Sequence, residues 1–283
     1  MNIKHIHSEN AEFQIIESLK TNRHKRKKLG EVFVEGIESI KQASSAGVTF
    51  SRIICEEIEK LSDWGRSFIA QHDEAVIIEM YADLYKKLCD REEPSELLAT
   101  LSLEPRTLPD LLKDNALPDD PFILVCDRPS DHGNLGSIIR SANAFSVDAI
   151  LICGHGVDPY DPKVIRSSLG SIFFTPIVHV ESMTALGDFI SAMRKRGEFS
   201  LVGTDSQGEE TLGEKALAPP LMLILGNEAR GISLKLRELC DRMVRIPLLG
   251  RVNSLNIASA ASILMWEVAT SSRSAKPGFL QNH

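Results

Sequence analysis

The sequence predicts an α/β protein built from two units. Strand-like apolar runs alternate with amphipathic helical patterns along most of the 283 residues. Several runs, such as Phe122–Cys126 and Leu221–Leu225, are apolar throughout, the mark of parallel strands covered on both faces. A proline-rich stretch separates the two halves, and the length suits two domains.

In the first unit, Phe13, Ile15, Ile16 and Leu19 give residues 9–20 an amphipathic helical face. Val32-Phe33-Val34 reads as a strand, Glu35-Gly36 as a turn and 37–46 as a helix that Gly47 stops. Arg52–Cys55 and Ala75–Ile78 are further strands, with helices near 59–71 and 81–90. These elements make residues 1–104 a small α/β module. Pro105, Pro109, Pro118 and Pro121 mark 105–121 as an extended linker. Residues 122–275 form the second unit and 276–283 a disordered tail.

The second unit alternates cleanly. Strands are expected at Phe122–Cys126, Ala149–Cys153, Thr175–His179, Ser200–Gly203, Leu221–Leu225 and Met243–Ile246, with helices at 134–145, 163–169, 183–196, 233–239 and 255–271. A doubly wound α/β sheet follows, and in such sheets ligands gather beyond the carboxyl ends of the strands.

Composition excludes several classes. There is no run of about 20 apolar residues to span a membrane, and MNIKHIHSEN has no apolar signal core. A cytoplasmic protein is the expectation. Cys55, Cys89, Cys126, Cys153 and Cys240 form no close pair, so no zinc or redox motif is expected, and His5-x-His7 is a weak metal signal at a floppy terminus. A phosphate loop is absent, and Gly154-His155-Gly156 lacks the third glycine of a dinucleotide fingerprint. The net charge of −7 argues mildly against nucleic acid. Against that average, Lys20, Arg23, Lys25, Arg26, Lys27 and Lys28 crowd residues 20–28 without a carboxylate. The run is either a solvated helix end or loop, or a surface that neutralises phosphates.

Three strand-end loops carry polar groups that packing does not require. Asp127–Arg140 runs into a helix bearing Asn134, expected as its cap, and Arg140. Six residues amount to about 600° of helical rotation, so the two side chains point apart. From periodicity alone Arg140 reads as a surface ion-pair partner. Leu225–Ser233 holds Gly226 and Gly231 around Glu228, with Ser233 a plausible cap. Ile246–Ala261 turns at Pro247 and Gly250 and then places Ser254 and Asn256 before a helix rich in small residues; Ser254 alone could be a cap.

NLGSIIRSANAF at 134–145, ILGNEARGIS at 224–233 and IPLLGRVNSLNIASAASILMWE at 246–267 occur in the order of the SpoU (TrmH-like) branch of the SPOUT RNA methyltransferases. Arg166–Ser171 followed by Pro176 resembles the middle segment of that family. The resemblance spans 122–270. More weakly, the basic run followed by Val-Phe-Val-Glu-Gly resembles the kink-turn-binding ribosomal proteins that serve as RNA-binding domains in the family.

The resemblance implies a deep trefoil knot, a homodimer and methyl transfer from S-adenosylmethionine to a ribose 2′-hydroxyl of structured RNA, ribosomal rather than transfer RNA. By motif, Gly226, Ile246 and Leu255 hold the cofactor largely through backbone, with Gly203, Thr204, Leu225 and Asn227 beside them. Arg140 activates the hydroxyl, Asn134 orients Arg140 or the ribose, Glu228 orders the site, and Ser254 and Asn256 brace the pocket. Arg23, Lys25, Arg26, Lys27 and Lys28 bind RNA. No metal is expected. The competing readings are an RNA-binding module that holds the cofactor without catalysis, a small-molecule or protein methyltransferase, and methylation of a base.

Overall fold

The computed structural model describes residues 2–90, 93–113 and 115–273, with the side chains of 272 and 273 outside the description. The expected tail over 276–283 and the last two residues of the expected second unit lie outside the described residues. The chain divides into two compact units, one comprising residues 1–105 with 158–173 and the other residues 106–157 with 174–283.

The first unit contains β1 (Asn2–Ile6), α1 (Ala11–Thr21), α2 (Arg23–Leu29), β2 (Glu31–Glu35), α3 (Ile37–Ser45), β3 (Phe50–Cys55), α4 (Asp63–Gln71), β4 (Val76–Met80), α5 (Ala82–Leu88) and β5 (Leu98–Ser102). Its sheet order is β1-β4-β3-β5-β2, with β5 antiparallel to β3 and β2. Asn10 caps α1 by accepting from Phe13 N, and the helix buries Phe13, Ile16 and Leu19. Those residues join Phe33, Ile54, Ile78 and Tyr85 in one core. The basic run is helical because Asn22 ends α1 and caps α2, accepting from His24 N and Lys25 N, while Gly30 stops it in the left-handed region (φ +63).

The second unit begins with α6 (Leu108–Leu111), β6 (Phe122–Asp127), α7 (His132–Ala144) and β7 (Ala149–Cys153). The chain then contributes α8 (Pro162–Ser167) to the first unit. It continues through β8 (Ile177–His179), α9 (Met183–Arg196), β9 (Ser200–Thr204), β10 (Glu210–Thr211), β11 (Leu221–Leu225), α10 (Leu234–Arg237), β12 (Arg242–Arg245) and α11 (Ile257–Arg273). The sheet order is β10-β12-β9-β11-β6-β7-β8, every pairing parallel. Central strands β6, β7 and β11 are buried on both faces, as their unbroken apolar character requires. Each large core side chain here, such as Phe189 or Leu201, contributes about 1.5–3 kcal/mol by leaving water.

Three expectations need correction. Residues 105–121 are not a bare linker: Leu108, Leu111 and Leu117 belong to the core of the second unit, and Asp110 accepts from Thr107 N and Oγ1 to start α6. The N-terminus is a strand, paired in parallel with β4 through His5↔Glu79. Its polar residues stay exposed because β1 lies at a sheet edge. Asn134 does not cap α7. Asp131 does, accepting from Asn134 N at 2.7 Å, which places Asn134 inside the first turn.

Candidate active site

The second unit carries a cavity of about 610 Å³ at the carboxyl ends of β9, β11 and β12. Four segments distant in sequence wall it: the start of α7, residues 204–206 at the end of β9, the loop after β11, and the stretch from Val244 to α11. Local sequence explains each wall. Gly226 is obligatory, because a Cβ there would lie 2.4 Å from the carbonyl carbon of Gly231. The loop closes on itself through Asn227 N to Gly231 O (3.0 Å) and Gly231 N to Asn227 O (2.9 Å), while Asn227 Oδ1 accepts from Ala229 N and Arg230 N. Asn256 caps α11 by accepting from Ala258 N at 2.9 Å, so Ser254 is not the cap.

A polar chain crosses the cavity. Asn256 Nδ2 donates to Asn134 Oδ1 at 2.9 Å, and Asn134 Nδ2 points at Glu228 Oε1 at 3.5 Å. Glu228 Oε2 in turn accepts from Ser130 Oγ at 2.6 Å. An acceptor at one end and a donor at the other fix the orientation of the Asn134 amide. Aliphatic groups, among them Ile246, Leu248, Leu255 and Leu264, supply the opposite character. A cavity of this size with one apolar wall and a few convergent polar groups suits a small organic ligand.

Most residues singled out from sequence meet here: Asn134, Thr204, Gly226, Asn227, Glu228, Ile246, Ser254, Leu255 and Asn256 all line the cavity. Gly203 and Leu225 do not. Leu225 is buried, and a Cβ at Gly203 would meet Met243 Sδ at 2.5 Å, so Gly203 makes room for the packing beneath. Arg140 is exposed and is not among the lining residues, as the rotation along α7 requires. Asp205 and Asn253 line the cavity and were not singled out. Asp205, directly after Thr204, was legible as a strand-end carboxylate; it pairs with Arg237 at 2.7 Å.

The cationic run divides by exposure. Arg23, Lys25, Lys27 and Lys28 are exposed on α2. Arg26 is 5% exposed and its guanidinium is committed inside the first unit, to Asp158 at 2.8 Å, Asp161 at 3.4 Å and the carbonyl of Leu19 at 2.8 Å. Its assignment to RNA is therefore corrected: a buried guanidinium already paired with two half-buried carboxylates is not available to a phosphate.

Among the described residues no group of three or more His, Cys, Asp or Glu side chains could hold a metal ion, and no helix is long and apolar enough to cross a membrane.

Comparison with known proteins identifies the family. Residues 121–266 match the SpoU rRNA methylase family and residues 10–99 match the SpoU L30e-like domain. The chain is 36% identical over 266 residues to a 23S rRNA (uridine(2479)-2′-O)-methyltransferase of Streptomyces viridochromogenes, covering 93% of this chain and 91% of the relative. It is 30% identical to an uncharacterised tRNA/rRNA methyltransferase of Synechocystis, covering 86% and 85%. The crystal structure of the SpoU methyltransferase AviRb from S. viridochromogenes in complex with AdoMet superposes with a TM-score of 0.86 at 35% identity, covering 95% of this chain and all of that one. By its matched residues, its fold and these relatives, the chain belongs to the SpoU rRNA methylase family.

Proposed function

We infer that this protein transfers a methyl group from S-adenosylmethionine to a ribose 2′-hydroxyl of ribosomal RNA. The observation that carries the reading is the convergence of the 134, 226–231 and 246–256 segments on one cavity, cross-linked by the Asn256–Asn134–Glu228 chain. The residues fit the cofactor. Aliphatic Ile246, Leu248 and Leu255 suit a purine, while Thr204, Asp205, Asn253 and Ser254 offer partners for a ribose and an amino-acid tail. When bound, the cofactor supplies an electrophilic sulfonium methyl.

The chain's own residues then have to seat the ribose and accept the consequences of its attack. Glu228 holds the Asn134 amide, and Asn134 with Asn256 presents a fixed donor–acceptor edge to the incoming sugar. Such pre-positioning can account for about 7 kcal/mol or more of a barrier. Arg140 holds the phosphate beside the target nucleotide and polarises the hydroxyl. It does this without losing its own proton, which free guanidinium retains to a pH above about 12; the hydroxyl proton passes to solvent as the carbon–sulfur bond breaks and the carbon–oxygen bond forms.

Arg140 serves the cavity of a second copy in a homodimer. Support comes from its position away from its own cavity, and from the exposed apolar residues Ile263 and Trp266 on α11. The close packing of α11 on α7, through buried Ala261 and a Ser141–Ser262 hydrogen bond of 2.8 Å, favours a threaded C-terminal segment and thus the trefoil knot. Lys25, Lys27 and Lys28, with Arg23, face ribosomal RNA in the cytoplasm.

The test is incubation of 23S rRNA with the protein and methyl-labelled cofactor, followed by nucleoside analysis. Label in a 2′-O-methyl ribose is expected. Label on a base, or none above a Glu228→Ala control, would overturn the reading.

A further inference from the structure

Behind the cavity wall lies an acid–base pair that the site described above does not use. β6 ends at Asp127, whose side chain is 3% exposed. The next residue, Arg128, has φ +51, in the left-handed region that residues other than glycine enter rarely. From that backbone position Arg128 folds back on its neighbour, Nε donating to Asp127 Oδ1 at 3.0 Å and Nη2 to Asp127 Oδ2 at 2.9 Å. Neighbouring residues in a regular strand point to opposite faces, so this pair exists only because the backbone is turned.

The two residues together grip the loop after β11 at several points. Arg128 Nη2 donates to Gly231 O at 3.0 Å, and the Arg128 carbonyl accepts from Asn227 Nδ2 at 2.8 Å. Asp127 Oδ2 accepts from Ser233 N at 2.7 Å. The turn itself is pinned by Arg128 N donating to Cys153 O at 2.8 Å. Space for the arginine stem is left by Gly154, where a Cβ would stand 2.7 Å from Arg128 Cγ. A strained residue, a buried carboxylate and a glycine cut-out thus serve one end: the position of the 226–231 backbone. Neither Asp127 nor Arg128 lines the cavity.

We propose that Asp127 and Arg128 are positioning residues, a strut that sets the Gly226–Gly231 loop against the cavity and thereby determines affinity for S-adenosylmethionine. The proposal rests on the reading that this cavity holds that cofactor. The strut acts through main-chain groups of the loop, so its loss should act on the cofactor and leave RNA recognition alone. Had Arg128 instead been a phosphate contact, the RNA side would respond.

The experiment is calorimetric titration of the full-length, RNA-free protein with S-adenosylmethionine, comparing wild type, Arg128→Gly, Arg128→Lys and Asp127→Asn, with steady-state kinetics alongside. Arg128→Gly is the deciding variant, because glycine adopts a positive φ without strain and folding is spared. Its Kd for the cofactor should rise about tenfold or more, as for loss of a charge-assisted hydrogen bond. Amides 226–233 should exchange faster with solvent and kcat should fall as well, because Glu228 rides on the same loop, while KM for RNA stays within about twofold of wild type, which separates loop positioning from general damage. Arg128→Lys should fall between, since an ammonium cannot reproduce the fork. An unchanged Kd beside a wild type that binds would overturn the strut alone. A raised KM for RNA with a flatter salt dependence and unchanged cofactor affinity would make Arg128 a phosphate contact. A wild type that fails to bind the cofactor would overturn the functional reading and the strut with it.

Discussion

Asn256 Nδ2 meets Asn134 Oδ1 at 2.9 Å across 122 positions of sequence, and the same Asn256 caps α11. One side chain therefore joins the last helix to the first turn of α7. Asn256→Asp puts an acceptor against an acceptor, and Asn134 cannot turn over without presenting its oxygen to Glu228. Methyl transfer should fall by about tenfold to a hundredfold, the range for a lost or inverted hydrogen bond in a polar site. Asn256→Ala should also lower the unfolding free energy by about 1 kcal/mol through the lost cap. Single-turnover rates and denaturant melts measure the two effects separately.

Arg140→Ala should abolish methylation with cofactor affinity nearly intact, because Arg140 is not on the cavity wall. Mixing inactive Arg140→Ala with inactive Glu228→Ala subunits should restore partial activity. The mixed dimer holds one cavity with an intact Glu228 faced by an intact Arg140. No recovery after subunit exchange would place Arg140 with its own cavity.

The basic helix offers an internal control. Replacing Lys25, Lys27 and Lys28 with Gln should weaken RNA binding and reduce the slope of log K against log salt by about 0.7–0.9 for each phosphate no longer neutralised. Arg26→Met should leave that slope unchanged. It removes the cation from the half-buried Asp158 and Asp161 carboxylates, which keep their bonds from Tyr160 N and Lys163 N, and should cost about 1–3 kcal/mol of stability.

Burial pushes the Asp148 carboxyl above its ordinary value of 3.8, Asp120 adds repulsion, and a hydrogen bond from Phe122 N offsets part of this. The ionised form is thus penalised in the folded protein and opposes folding at neutral pH. The cost fades as pH falls through the raised value and is gone below 3.8. Asp148→Asn keeps an acceptor for Phe122 N without the charge. Its unfolding midpoint should exceed that of wild type at pH 7, and the two should converge in acid.

Thiol reagents should leave activity untouched. Burial raises Cys126, beside Cys153 and Glu228, to about 12, and raises Cys153, near Asp127, to about 12; Cys240 stands at about 11. At pH 8 the thiolate fraction of the first two is on the order of one in ten thousand, and the thiolate is the reactive form. Methylation assays before and after N-ethylmaleimide treatment check this.

The second unit was legible because its strands are continuous apolar runs bounded by turn residues: Ala149–Cys153 and Leu221–Leu225 match the observed strands residue for residue. The first unit was less so. β1 is Asn-Ile-Lys-His-Ile, an edge strand whose exposed positions carry no alternation to read. β5, at Leu98–Ser102, lies inside the sheet but follows a loop without a strand-start signal. The site residues stood out as polar groups in strand-end loops where packing gave them no purpose. Arg26 could not be told from its neighbours, because its partners Asp158 and Asp161 lie more than 130 positions away. The Asp127–Arg128 strut was hidden for a related reason, since a positive φ at an arginine leaves no compositional trace.

The passage of residues 158–173 into the first unit means that the methylase core cannot be excised along its sequence boundary. A fragment beginning near 121 would carry Arg166 without Glu35, Asp158 and Asp161 without Arg26, and Gly170 without the α3 backbone it rests on. It would bear unpaired charge and bare hydrocarbon in mid-sequence, a surface prone to clumping. The amino-terminal module is thus a structural dependency of the methylase half, and the two are expected to fold together or not at all.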